Sequence, residues 1–240
     1  MRLLKKIINS IISIIYPHRC ISCNEILKFG VKWLCNECSC DFVSEGHKRC
    51  KICGRIIYHN GNCRACNSRK RYFDRGHSVF EYKDAVRRGI MNFKYKGLYS
   101  YGIFFGKAMA DYALDYVIAD MDFDYVTAVP LHYKRLRGRG YNQSEILAKT
   151  VAKAIGVEYR ALLERRINTR ALNRLGREER CREITGAFAL NRGVSVEGKN
   201  ILIIDDIYTT GTTINECCKV LKHNKAAVTD FFTLSCRSED

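Results

Sequence analysis

Residues 201 to 213 read Ile-Leu-Ile-Ile-Asp-Asp-Ile-Tyr-Thr-Thr-Gly-Thr-Thr. Four consecutive apolar residues form the pattern of a strand buried on both faces, which points to an α/β fold. The acids Asp205 and Asp206 follow, then a turn rich in Thr and Gly, then a helix carried by Ile214, Val220 and Leu221. A loop at a helix N-terminus presents bare N–H groups and the positive end of the helix dipole to an anion. Gly211 lets the backbone approach a ligand closely, and Thr209, Thr210, Thr212 and Thr213 add hydroxyl donors. An anion in that cup would repel the two carboxylates, which are better matched to sugar hydroxyls or a divalent metal beside it. A buried strand running into an ordinary N-capped helix would also place Thr and Asp here. The coincidence of paired acids, Thr-Thr-Gly and the strand–helix context favours the anion site.

This stretch resembles the phosphoribosyl pyrophosphate (PRPP) signature of type I phosphoribosyltransferases. The resemblance implies that Asp205 and Asp206 face the ribose at the reaction centre. It implies too that the Thr209–Thr213 loop holds the 5′-phosphate.

Eight of the thirteen cysteines fall in four C-x-x-C pairs, all before residue 67. Such pairs suit metal better than a disulfide framework, and they lead us to expect a reducing, cytoplasmic compartment. A C-x-x-C turn sets two sulfurs on one side of a knuckle, and two knuckles complete a tetrahedral four-cysteine zinc site. Consecutive pairing gives two structural zincs, one on Cys20, Cys23, Cys35 and Cys38, the other on Cys50, Cys53, Cys63 and Cys66. Interleaved pairing is the alternative. Gly54, after Cys53, fits the positive φ that a knuckle often needs. The segment has few large apolar residues, Trp33 and Phe42 among them, so metal must hold it together. His18, His47 and His59 read as surface residues and Cys40 as a spare thiol. Cys181, Cys217, Cys218 and Cys236 read as small hydrophobes or spares.

Three regions follow: an amphipathic helix over 1–18, a double zinc-ribbon module over 19–70 and an α/β domain over 71–240. In the first, Leu3, Leu4, Ile7, Ile8, Ile11, Ile12, Ile14 and Ile15 recur at helical spacing and Pro17 closes the run. It is too short and too polar to span a bilayer, which needs about 20 apolar residues. It packs on the next domain, the commoner fate, or lies in a membrane interface with Lys5 and Lys6 toward the headgroups.

Within the α/β domain the pattern predicts a strand over 78–82, helices over 84–95 and 103–118, and a strand over 125–129 closed by Pro130. A basic Gly-rich loop from His132 to Gln143 comes next, carrying Lys134, Arg135, Arg137 and Arg139. A basic loop directly after a strand is where an open α/β sheet would hold a pyrophosphate, here on Lys134, Arg135 and Arg139. A helix over 142–154, a strand over 161–165 and a last buried strand over 226–235 complete the domain.

Lys94-Tyr95 after an amphipathic helix, Val129-Pro130 and Arg139-Gly140-Tyr141-Asn142-Gln143 resemble the ComF family of bacterial competence-associated proteins. The match keeps the motif order over nearly the whole chain. It implies a four-cysteine zinc-ribbon module followed by a type I phosphoribosyltransferase-like, Rossmannoid domain with a mostly parallel sheet. It also implies a mobile hood over 167–182, closing on the reaction centre. Here Thr169 and Arg180 match the family pattern, whereas Leu172 and Glu183 stand where the family usually carries Gln and Asn.

The formal charge of +16, about +12 once two four-cysteine zinc sites are counted, favours anionic partners. Two functions fit. One is an enzyme that binds Mg2+–PRPP and substitutes at the anomeric carbon through an oxocarbenium-like state. The other, which the resemblance implies, is a module for incoming single-stranded DNA, working with the DNA-uptake machinery at the inner face of the membrane. There, basic residues interleave with rings, as at Lys94, Tyr95 and Lys96.

Overall fold

The computed structural model describes residues 17–68, 70–97, 99–118, 121–168 and 182–239. The expected N-terminal helix lies almost wholly outside the described residues, as do Thr169, Leu172 and Arg180 of the hood. Two short helices, α1 (Asn36–Ser39) and α2 (Arg64–Ser68), belong to the cysteine ribbons. They are followed by β1 (Gly76–Glu81), α3 (Asp84–Tyr95), α4 (Tyr101–Tyr116) and β2 (Tyr125–Ala128). Next come α5 (Tyr133–Arg139), α6 (Gln143–Ile155), β3 (Glu158–Tyr159), β4 (Leu163–Arg165) and β5 (Phe188–Leu190). The chain ends with β6 (Asn200–Tyr208), α7 (Thr212–His223) and β7 (Val228–Cys236).

Five strands form one sheet in the order β1-β7-β6-β2-β3. Every pairing in it is parallel. β4 and β5 make a separate antiparallel pair. β6 is central, and its four leading apolar residues are fully buried, as a strand covered on both faces requires. Alternation sends Ile201 and Ile203 into a core shared with α7, and Leu202 and Ile204 into a core shared with α3, α4 and α6. Full burial of each contributes about 2 kcal/mol.

Two expectations need correction. β6 does not stop at Ile204 but runs through the acids to Tyr208. Its partner β7 continues alongside, pairing Asp205 with Thr233 and Tyr208 with Cys236, whereas β2 leaves at Ala128, opposite Ile204. The basic segment after β2 is mostly helix, not loop. Its Lys, Arg and Leu are good helix formers, so glycine ends the helix only at Gly140, which adopts φ +84°.

The two ribbons are built onto the sheet domain. Cys50, Cys53, Cys63 and Cys66 share a core with Phe73, Tyr208 and Phe231. Ile52 O accepts from Gly76 N at 2.8 Å, joining the second ribbon to the start of β1. Gly54 has the expected positive φ, +65°, and a Cβ there would come within 2.4 Å of Gly76 O. The first ribbon rests on α3, where the Asn92 side chain donates to the carbonyls of Ile21 and Ser22. Phe42 packs edge-on against Phe80 and Phe104. Metal therefore need not replace a core entirely, because the ribbons borrow the core of the sheet domain. Among the described residues, no helix is long and apolar enough to cross a membrane.

Candidate functional site

After β2 the chain crosses toward β3, and after β6 it crosses the other way, toward β7. The loops leaving these adjacent strands diverge, which opens a crevice at their carboxyl ends, the usual ligand position in an open α/β sheet. A cavity of about 830 Å3 occupies that place. Asp205, Asp206, Thr209, Thr210, Thr212 and Thr213 line it from the β6 side. Val129, Pro130, Arg135 and Arg139 line it from the β2 side.

The turn between β6 and α7 is shaped by a glycine. Gly211 is the N-cap of α7 with φ +78°, and a Cβ there would meet the Tyr208 ring and hydroxyl, the nearest atom at 2.7 Å. The hydroxyls of Thr210 and Thr212 lie 3.0 Å apart. The first turn of α7 carries no acid, so its dipole is left open to an anion.

The two acids are set by three neighbours. Lys94 Nζ donates to Asp206 Oδ1 at 2.8 Å and Gln143 Nε2 to Oδ2 at 2.7 Å. Ser144 Oγ donates to Asp205 Oδ1 at 2.8 Å. Burial, with the charge of Asp206 next to it, pushes the Asp205 carboxyl up to about 7. Asp206, 4% exposed, has both carboxylate oxygens occupied by Lys94 and Gln143, whereas Asp205 can change charge near neutrality and accept a ligand hydroxyl or a cation.

Of the basic residues expected to hold a pyrophosphate, Arg135 and Arg139 face the cavity, while Lys134 is exposed outside its lining. Lys94 and Tyr95 line the cavity, and Lys96 is exposed beyond it. The Lys94 ammonium is committed to Asp206 rather than offered to the surface. Sequence reasoning gave no role to Gln143 or Ser144, although Gln143 stands in the Arg-Gly-Tyr-Asn-Gln stretch. Asn142 was also passed over. Its side chain donates to Val129 O at 3.0 Å and fixes the exit of β2. Arg165, also missed, lines the cavity from β4 with its guanidinium over the Phe188 ring.

The eight paired cysteines gather in two clusters in the consecutive arrangement: Cys20, Cys23, Cys35 and Cys38, then Cys50, Cys53, Cys63 and Cys66. The sulfurs of Cys23 and Cys35 lie 3.7 Å apart, as do those of Cys53 and Cys63. Zinc–sulfur bonds of about 2.3 Å in a tetrahedron require an edge of roughly 3.8 Å, far longer than a disulfide. Both clusters are therefore four-cysteine zinc-binding sites, whose bound metal would cross-link knuckles that have little core of their own. The interleaved pairing is excluded by the geometry. His59 stands apart from the sulfurs and contacts Glu239 Oε2 at 3.3 Å.

Comparison with known proteins adds the following. Residues 11–67 match the family model described as a double zinc ribbon domain. The competence protein ComFC of Streptococcus pneumoniae is 30% identical over 204 residues, spanning 84% of this chain and 86% of that protein. The DNA utilization protein YhgH of Salmonella typhi is 33% identical over 116 residues, 48% of this chain and 50% of that one. A solved hypoxanthine phosphoribosyltransferase from Staphylococcus aureus superimposes with a TM-score of 0.38 at 18% identity, covering 58% of this chain and 68% of that one.

Proposed function

The chain belongs to the ComF family of competence proteins, and from that premise we propose that it binds Mg2+–PRPP in the crevice between β2 and β6 while serving in the handling of incoming DNA. The observation that carries this reading is the meeting of Asp205 and Asp206 with the Thr209–Thr213 cup at the point where the two crossovers diverge. The 5′-phosphate would sit at the N-terminus of α7, on the amides and hydroxyls of Thr210, Thr212 and Thr213. Asp205 and Asp206 would take the ribose hydroxyls, and Arg135 and Arg139 the oxygens of the magnesium-bound pyrophosphate. Substitution at the anomeric carbon would then need only positioning and electrostatic stabilisation from this chain. Calorimetry tests it: Mg2+–PRPP binds the wild type and binds Asp205→Asn/Asp206→Asn weakly. Equal binding by both would remove the assignment.

A second reading concerns single-stranded DNA, the YhgH relative being named for DNA utilization. It is favoured by Tyr95, which lines the cavity, and by Tyr99, the two being 63% and 60% exposed. Arg139 lies over the Tyr95 ring at 5.1 Å, and Lys96, Lys134 and Arg137 stand exposed nearby in sequence. Exposed rings among cations suit bases that stack and phosphates that need neutralising. Fluorescence anisotropy with a labelled single strand should show affinity falling steeply with salt, and a flat response would count against this reading.

A further inference from the structure

The second zinc ribbon reaches the turn after β6. Arg55 follows Cys53 by two residues, and its guanidinium donates to the carbonyl of Thr209, where the cup begins. It also lies over the Tyr208 ring at 5.2 Å. That ring stacks on Phe231 at 4.7 Å and presses its hydroxyl against Gly211. The carbonyl of Arg55 accepts from Cys50 N at 2.8 Å, so Arg55 belongs to the knuckle of the metal site. A four-cysteine site loaded with zinc carries a net charge of about −2, which would hold the cation in place from behind.

The knuckle that delivers Arg55 is itself fixed. Gly76 pins it at Ile52, and the tail after β7 straps it from the other side. There Glu239 N donates to Ile56 O at 3.0 Å, and the Glu239 carboxylate accepts from Arg64 N at 2.8 and 3.1 Å. Arg64 opens α2, between Cys63 and Cys66, so the strap and the metal site share one turn.

We propose that Arg55 is a positioning residue, by which the Cys50–Cys53–Cys63–Cys66 site holds the Thr209–Thr213 loop in its anion-binding shape. The ribbon thus acts on the ligand without touching it. The consequence for affinity rests on the PRPP reading above; the consequence for the loop does not.

The test uses the full-length, zinc-loaded protein with Arg55→Met and Arg55→Lys. Hydrogen exchange is followed at the amide of Asn215, which donates to Gly211 O at 2.8 Å and so reports on the loop, and, as an internal reference, at those of 201–204. In Arg55→Met, exchange at Asn215 should quicken about tenfold with 201–204 unchanged, the loss expected for one charge-assisted hydrogen bond. Mg2+–PRPP affinity should fall by a similar factor, and Arg55→Lys should recover part of both. Unchanged exchange at Asn215 in Arg55→Met overturns the proposal. Quickened exchange in a protein whose wild type ignores Mg2+–PRPP supports it, and the functional reading falls instead.

Discussion

Lys94, in the last turn of α3, places its ammonium 2.8 Å from a carboxylate oxygen of Asp206 near the end of β6. The two side chains are largely buried, at 15% and 6% exposure. A buried pair contributes little over an apolar one, but breaking it leaves an uncompensated charge. Lys94→Met should therefore cost about 3 kcal/mol in urea unfolding, even with Gln143 still donating to Asp206. Lys94→Met/Asp206→Asn should recover most of that loss. If the double variant is no more stable than the single one, Lys94 stabilises by packing and not by charge.

The Asp205 carboxyl gives the fold a pH signature of known sign. Folded, it keeps its proton up to about 7, because burial and the neighbouring Asp206 oppose ionisation. Unfolded, it releases the proton near the ordinary value of about 3.9. Between those values the folded state binds more protons, so stability from this group is full below about pH 4 and falls progressively to about pH 7. Asp205→Asn should flatten that slope in ligand-free protein, measured by denaturant midpoints across the range. A wild type and variant with parallel pH profiles would show that Asp205 ionises normally.

The two zinc sites differ in access. All four sulfurs of the second site belong to buried residues, whereas Cys23 of the first is exposed and Cys35 half-buried. Elemental analysis should find about two zincs per chain, one from each four-cysteine site. A coloured chelator should remove them in two phases, the first site leading. Cys23→Ser should accelerate the fast phase alone. A single phase of two zincs would mean that both sites open together, against the difference in burial.

The parts of the site that could be read in advance are those whose information is local. Asp84–Tyr95 shows its helix because Val86, Ile90 and Phe93 repeat at helical spacing and pack where that spacing sends them. The C-x-x-C pairs show their chemistry because a knuckle spans four residues. The Arg55–Thr209 contact joins residues 154 apart, and no periodicity encodes it. Gln143 and Ser144 were hidden for a different reason. At the start of a helix polar residues are expected for capping, so their reach to the acids of β6 looks ordinary until the sheet order is known. The segment after β2 misled because Gly138 and Gly140 suggested a loop, although Tyr133–Arg139 holds enough helix formers to tolerate one interior glycine.

Gly211 combines a positive φ with the Tyr208 ring beneath it. Alanine there meets both obstacles, one in the backbone and one in the packing. Gly211→Ala should cost about 1–2 kcal/mol in stability and weaken Mg2+–PRPP binding more than that figure implies, because the amides of the cup are re-aimed. Calorimetry beside thermal unfolding separates the two effects. Wild-type affinity in Gly211→Ala would place the phosphate away from this turn.

Stacking and charge can be told apart on the proposed DNA-binding surface. Tyr95 is largely exposed at the cavity mouth with Arg139 over its ring, and Tyr99, also largely exposed, makes a T-shaped contact with Tyr141 at 6.0 Å. A base stacked on such a ring is worth about 1–3 kcal/mol and involves no counterion. Tyr95→Ala and Tyr99→Ala should each weaken single-strand binding by about tenfold while leaving its salt dependence unchanged. Lys134→Gln and Arg137→Gln should do the reverse, each lowering the slope of log affinity against log salt by about 0.7 as one phosphate contact is lost. Anisotropy at three salt concentrations measures both quantities. Tyrosine variants that bind as tightly as the wild type, beside basic variants that lose the slope, would mean a strand held by its phosphates alone and running clear of the cavity.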